Sequence, residues 1–418
     1  MAVSRVDAAG ALSVGAYGLL LALSRGGQDP PIGAFLGIMF AAWALLGLAC
    51  TGSAAVRVGK IWLWAIAFRL VGFFGQPVLE DDWYRYLWDG AVFAWSGNPY
   101  GKPPTMFFSD PQVPQKLQAI LDGINHPDVP TIYGPVCQAL FLISYWIAPG
   151  ELWPLKLMLI AADLATIVLM GRLVRGRCLL LYAWCPLLIK EIAFTAHPDI
   201  LGIAFLIAAL VIKRPRSVAM LCALAFGTKV IAAVIAGLLL VRLPKKYWLA
   251  FGAVLAGLYF PFWVQGSLAD WSGVKEFASS WEFNSTIYGV LSIWMGDAAA
   301  KVLCAGLFLI VCGAYAAKWN GGVPRGDLLY GLFFLLSAVV NPWYLLWMLP
   351  FVALYPSAAG IAAIVVIVLA YVHGLNLPGT DLGPYDHPTW VRVVEVVTIF
   401  VAGSLQFLLR GPTRQIRE

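Results

Sequence analysis

The sequence predicts an all-α polytopic membrane protein, and three observations predict it. Apolar runs of about 15–21 residues recur along the whole chain, near the roughly 20 needed to cross a bilayer as a helix. Hydrophobic residues make up 61% of the 418 and charged residues 12%, too few charges to clothe a soluble globule of this size. The basic residues gather in clusters between apolar runs, the pattern of loops kept on one side of a membrane. The net charge of +6 therefore reflects topology and gives no sign of a nucleic-acid partner.

In chain order, the candidate spans are 9–23, 32–51, 60–79, 152–171, 178–191, 199–213, 217–227, 229–241, 247–264, 298–318, 326–340, 343–355, 359–373 and 389–409. The shortest need partners or a re-entrant path. The pair within 217–241 reads as a hairpin of two short helices. Met1–Gly10 leads into the first run without a small-residue cleavage site, so no cleaved leader is expected. Cys50, Cys178, Cys185, Cys222, Cys304 and Cys312, of seven cysteines, lie in apolar runs and read as small buried hydrophobes. No separate soluble stretch stands out, so 1–418 is expected to form one integral membrane unit.

Basic clusters at Arg57/Lys60, Arg172/Arg175/Arg177, Lys213/Arg214/Arg216, Arg242/Lys245/Lys246, Lys318/Arg325 and Arg410/Arg414/Arg417 mark one face, read as cytoplasmic. One run breaks the alternation. Counting Ile132–Ala148 as a span would put the Arg172 cluster outside. It is expected to lie in the outer interface instead, with Pro127, Pro130 and Pro135 bending the chain into it. Residues 80–151 then form one long external loop. His126, His197, His373 and His387 fall on the same external face.

That loop opens with Glu80, Asp81 and Asp82, followed by Trp83, Tyr84, Tyr86 and Trp88. Three adjacent acids at the mouth of a span repel one another, which raises at least one pKa and can create a proton acceptor. Asp81 and Asp82 are the candidates for a general base, with Glu80 a tuning charge. Adjacent residues in an extended or pre-helical entry point to different sides, so only one is expected to reach a given hydroxyl. The plain alternatives are a solvated loop or capping of the next helix. The turn Asn125–Pro135 can present His126 and Tyr133 to a cavity. His197-Pro198-Asp199 repeats the triplet of His126-Pro127-Asp128, but two triplets in separate loops do not make a metal coordination set. No cofactor is expected, with a divalent metal as the open alternative. Lys229, between two short apolar helices, is either a phosphate ligand or a lysine snorkelling to the interface. Arg85 is a weaker candidate of that kind. Asn341-Pro-Trp343-Tyr344 lies where two spans meet the outside, where aromatics could stack on a substrate or belong to the interfacial belt.

The order of these pieces resembles the GT-C superfamily of polyprenyl-phosphate-sugar-dependent glycosyltransferases: acids opening the first external loop, then YRYLWDG…NPY, then INHPDVPTIYGP. Within it the chain resembles bacterial relatives of the mannosyltransferase that adds the first mannose of GPI anchors. Further parallels are Lys156…Asp163, Cys185-Pro186…His197-Pro-Asp199, Lys229 and Asn341-Pro-Trp343. The family's Asp-x-Asp is matched only at its first position, by Asp81, since the third is Trp83. The resemblance implies a GT-C-type bundle of about 12–14 transmembrane helices, with interfacial helices in the long first loop. It implies an inverting transfer of a hexose, mannose by resemblance, from a polyprenyl-phosphate-sugar donor to a lipid or glycan acceptor. The site would face the periplasm from a bacterial inner membrane. Asp81 or Asp82 would be the base. Lys229, Arg85 and His197 would hold the donor phosphate, and Glu80, Tyr84, His126, Tyr133, Asn341 and Trp343 would contact substrate. Two rivals remain from the residues alone. A transporter would carry broken, charged helices near the midplane and an inverted repeat, and no internal repeat is visible. A non-catalytic assembly subunit would need no reactive acids.

Overall fold

The computed structural model describes residues 4–27, 29–51, 56–265 and 271–410; Arg414, Arg417 and Glu418 lie outside them. The described residues form helices α1 Arg5–Ser24, α2 Ile32–Cys50, α3 Val58–Phe74, α4 Asp82–Ser96, α5 Gln115–Asp122, α6 Pro135–Ile147, α7 Trp153–Met170, α8 Arg177–Ala183, α9 Pro186–Leu188 and α10 Asp199–Ile212. There follow α11 Pro215–Thr228, α12 Ala233–Val241, α13 Trp248–Val264, α14 Trp271–Ser280, α15 Ile287–Met295, α16 Asp297–Lys318, α17 Gly326–Leu336, α18 Leu349–Leu354, α19 Ala358–Val366 and α20 Thr389–Arg410. The fold is an all-α polytopic membrane protein. Six of the described helical segments are long and apolar enough to cross a membrane: Arg5–Ser24, Ile32–Cys50, Trp153–Met170, Lys245–Val264, Asp297–Lys318 and Thr389–Leu409. Shorter apolar helices pack among them, including Asp199–Ile212 and Gly326–Leu336.

Several expected spans are interrupted, and each break has a physical reason. The run 60–79 stops being helical at Phe74. Its last carbonyls lose their helical partners there, and the buried Lys156 Nζ takes them, donating to Gly72 O at 2.8 Å and Gly75 O at 2.7 Å. A Cβ at Gly75 would sit 2.4 Å from the Phe194 ring, so only glycine lets the two segments meet. The run 178–191 breaks between Ala183 and Pro186 and continues as a π-helical turn, Ile189–Phe194. The run 326–340 ends at Leu336, and its tail pairs with Phe283 in one parallel bridge: Phe283 N to Ala338 O, 3.0 Å, and Val340 N to Phe283 O, 2.9 Å. The run 343–355 is a 3-10 turn followed by the six residues of α18.

Between α11 and α12 the expected pair of short helices is found, and Lys229 is the extended residue that separates them (φ −156°, ψ 136°). The apolar run 132–148 forms α6, which buries Cys137, Gln138, Phe141 and Ser144 and leaves Ile143, Trp146 and Ile147 exposed. One further interior feature is a buried ion pair. Arg69 Nε lies 2.8 Å from Asp163 Oδ2, and its Nη1 donates to Ala183 O at 2.6 Å, tying α3 to α7 and to the end of α8. Such a pair costs desolvation but fixes register, since neither charge tolerates another neighbour. The basic starts of α1 and α3 lie a helix length, roughly 30 Å for 20 residues, from the ends that approach the cavity described next.

Candidate active site

The link Gly75–Asp81 is gripped by the turn between α1 and α2. Gln76 N donates to Ser24 Oγ (3.1 Å) and Leu79 N to Asp29 Oδ1 (2.8 Å). Leu79 adopts φ +55°, a left-handed conformation that a bulky residue takes only when its surroundings demand it. This bend is followed by Asp81 at φ −121° and ψ −2°, the pre-helical residue that leads into α4. Glu80 turns back to cap α4, its Oε1 accepting from the amides of Asp81 (3.2 Å) and Asp82 (3.1 Å). As a result the three carboxylates do not diverge as adjacent side chains in an extended stretch would. Oxygens of Glu80, Asp81 and Asp82 all lie within 4.8 Å of one another. Hard oxygens at this spacing are donors that a divalent cation could take.

Each aspartate has its own partner. Asp81 Oδ1 accepts from Asn125 Nδ2 at 2.6 Å, and Asp82 Oδ2 accepts from Tyr133 Oη at 3.1 Å. Burial and the neighbouring Asp82 push Asp81 up to about 7. Burial also raises Asp82, opposed by the charge of Lys229 and the Tyr133 bond. Glu80 is raised well above the carboxylate range by burial and by both aspartates. Burial lowers His126. A carboxylate near 7 in a cavity is suited to take a proton at neutral pH.

The acids line a cavity of about 900 Å³, together with Tyr84, His126, Tyr133, Asn341, Trp343 and Lys229. The structure therefore gathers nearly all the residues singled out from the sequence. Two of the proposed phosphate ligands are placed otherwise. His197 is fully buried and lines no part of this cavity: its ring stacks on Trp343 at 4.1 Å, and its Nδ1 is 2.9 Å from Tyr86 Oη. It stands behind the wall and cannot reach a phosphate. Arg85 borders the cavity, but its guanidinium is engaged. Nε meets Asp89 at 3.0 Å and Nη2 donates to Val129 O at 2.6 Å. Asp89 also accepts from Thr131 and from Gln138 Nε2 (3.0 Å). Arg85 thus holds the strap that carries Tyr133. Lys229 is not an isolated cation: its Nζ lies 3.0 and 2.9 Å from the carboxylate oxygens of the buried Asp199. It also sits 4.7 Å from the centre of the Tyr344 ring and keeps 18% of its side chain exposed.

A second cavity of about 1060 Å³ adjoins the first, walled by apolar residues of α12, α13, α16 and α17 such as Val234, Phe260, Phe308 and Phe333. Both cavities share Lys229, Tyr133 and Tyr344 as lining residues. Tyr344, the last residue of the Asn341–Tyr344 turn, borders the polar cavity as well; Asn125 and Tyr371 also border it and were not anticipated. Asn125 precedes His126 in the same turn, which is the signal that could have found it; Tyr371, at the far end of an apolar run, carries none. Near it Lys190 and Glu191 are buried and mutually paired at 3.2 Å, with Tyr371 Oη donating to Glu191 at 2.7 Å.

Residues 31–244, just over half of the chain, match the family model described as the N-terminal domain of alpha-(1→6)-mannopyranosyltransferases. No curated protein and no solved structure matches the chain.

Proposed function

The chain belongs to the family of alpha-(1→6)-mannopyranosyltransferases, membrane glycosyltransferases, and from this we propose that it moves one mannose from a polyprenyl-phosphate-mannose donor to a hydroxyl of a lipid or glycan acceptor. The observation that carries the proposal is the meeting of the two cavities at Lys229. The apolar cavity suits a prenyl chain, and Lys229 stands where the chain's phosphate would emerge beside the acids. In this reading the acceptor oxygen attacks the anomeric carbon as Asp81 takes its proton. The bond from that carbon to the phosphate oxygen breaks with inversion, and the leaving phosphate keeps the electron pair beside Lys229. Lys229 supplies the positive charge, so the reading needs no cofactor. We put the reaction on the face opposite the one-sided basic clusters, which is the periplasmic face if the membrane is the bacterial inner membrane that the resemblance implies. Broken helices would also suit a transporter, but here the charges near the break, Lys190 and Glu191, are sealed against each other.

The test is transfer of radiolabelled mannose from synthetic polyprenyl-phosphate-mannose by the purified protein. Labelled product with an alkyl mannoside acceptor is expected. Neither transfer nor donor hydrolysis, from protein of verified fold, would reject the reading. The pH profile follows from the base. Asp81 works only deprotonated, so kcat/KM should rise about tenfold per pH unit on the acid side and level off near 7, the acids titrating as a coupled set. A profile flat between about pH 5.5 and 8 would remove an aspartate base with this shift.

A further inference from the structure

The interior behind Trp343 holds polar groups that the transfer step does not use. Lys190 and Glu191 lie fully buried in the π-helical turn Ile189–Phe194. The chain then doubles back: His197 N donates to Glu191 O at 2.9 Å, and Ala196 takes φ +65° to allow it. This brings the His197 ring to the Glu191 carboxylate, with Nε2 3.4 Å from Oε2. Among the described residues this buried Nε2 has no closer partner. Trp343, stacked on the ring at 4.1 Å, fixes its plane. A carboxylate oxygen paired with a lysine only accepts, so the neutral ring carries its proton on Nε2 and Nδ1 is left as the acceptor. Tyr86 Oη, 2.9 Å from Nδ1, therefore donates to it. Tyr86 in turn meets Tyr133 edge to face at 5.1 Å, with the two hydroxyls as hydrogen-bonding neighbours, and Tyr133 Oη donates to Asp82 Oδ2 at 3.1 Å.

One line thus runs from Asp82 in the cavity through Tyr133, Tyr86 and His197 to Glu191. It has four links. With both end carboxylates charged it has three protons, one each on Tyr133, Tyr86 and His197. The Tyr86 proton is committed to His197, so the unfilled link is the one between the tyrosines, where Tyr86 offers Tyr133 a lone pair. We propose that Tyr86, His197 and Glu191 are positioning residues: they keep an acceptor behind Tyr133, so that its hydroxyl can turn from Asp82 to Tyr86 when a sugar hydroxyl donates to Asp82. The proposal rests on the transferase reading. Tyr133 is buried, and without the second acceptor the release of Asp82 would leave its hydroxyl unpaired, which is costly inside a protein. With it, Tyr133 is satisfied in both positions, and Asp82 can engage substrate beside Asp81.

The experiment is a mutant cycle in the full-length protein in detergent, reading transfer of labelled mannose from synthetic polyprenyl-phosphate-mannose to an alkyl mannoside, with melting curves matched. Tyr86→Phe keeps the ring, which stacks on Phe141 at 5.0 Å, and removes only the hydroxyl. It should lower kcat about three- to tenfold, the range of one net hydrogen bond, with the donor KM unchanged. In a Tyr133→Phe background the same change should cost nothing further, since Tyr86 acts through the Tyr133 hydroxyl. An equal loss in both backgrounds makes Tyr86 a packing residue and overturns the proposal, as does an unmoved kcat in Tyr86→Phe. The second readout is the His197 tautomer. The chain has four histidines, so nitrogen-15 labelling of histidine gives four sets of ring signals. The His197 set is identified by its loss in Tyr86→Phe/His197→Phe, which removes both polar partners together and orphans neither. The proton should sit on Nε2 in wild type and stay there in Tyr86→Phe, because Glu191 sets it. A proton on Nδ1, or a charged ring, overturns the line. If wild type neither transfers from nor hydrolyses the donor, the transferase reading fails, and the His197 tautomer still decides whether the line exists.

Discussion

Asp81→Asn should fold, bind donor and lose transfer by about 10²–10⁴-fold, the usual cost of removing a positioned general base. The substitution keeps size and a hydrogen-bonding oxygen for Asn125 but cannot take a proton. It should not weaken the fold. A carboxyl whose folded pKa is raised loses stability as pH climbs from its unfolded value through about 7, and the amide removes that loss. The melting temperature of Asp81→Asn at pH 8 should therefore equal or exceed that of wild type, which separates a dead enzyme from an unfolded one. Asp82 competes for the role, but it is tied to Tyr133 and faces Lys229. Labelled-sugar transfer by Asp81→Asn and Asp82→Asn decides between them. Near-normal turnover in the first with none in the second would swap the roles, and activity in both would move the chemistry elsewhere.

Lys229→Ala should raise the donor KM about ten- to a hundredfold, as expected for losing a charge-assisted contact to phosphate, and should affect the acceptor KM less. The single variant has a complication that the structure makes explicit. Asp199 is fully buried, and its other partner is Trp347 Nε1 at 2.6 Å. Removing the lysine leaves that carboxylate without its cation, which costs about 3–5 kcal/mol in a buried pair. The decisive protein is therefore Lys229→Met/Asp199→Asn, which discards both charges together. If this double variant folds and binds donor normally, Lys229 serves only to neutralise Asp199. A raised donor KM with a normal melting curve would assign the contact to phosphate.

The sequence by itself determined the fold class and the family. Hydropathy and charge clustering are sums over neighbouring residues, so they survive without knowledge of the packing. The ordered motifs of the first external loop carried the family in the same way, because each is local. Glu80, Asp81 and Asp82 were legible as a site because three adjacent carboxylates beside an apolar run are unusual in any fold. Even the engagement of Arg85 was within reach, since Asp89 lies four residues on along α4. What only the tertiary structure decided was which groups meet through space. Asp199 neutralises Lys229 from 30 residues away, Tyr133 binds Asp82 from 51, and Asp29 grips the acid-bearing link from 50. His197 carried the same motif signal as His126, yet one is buried behind Trp343 while the other faces the cavity. Spacing along the chain does not encode these distances. They follow from how helices broken at Phe74, Ala183 and Leu336 pack, and a buried charge or ring takes its role from the neighbours that packing supplies.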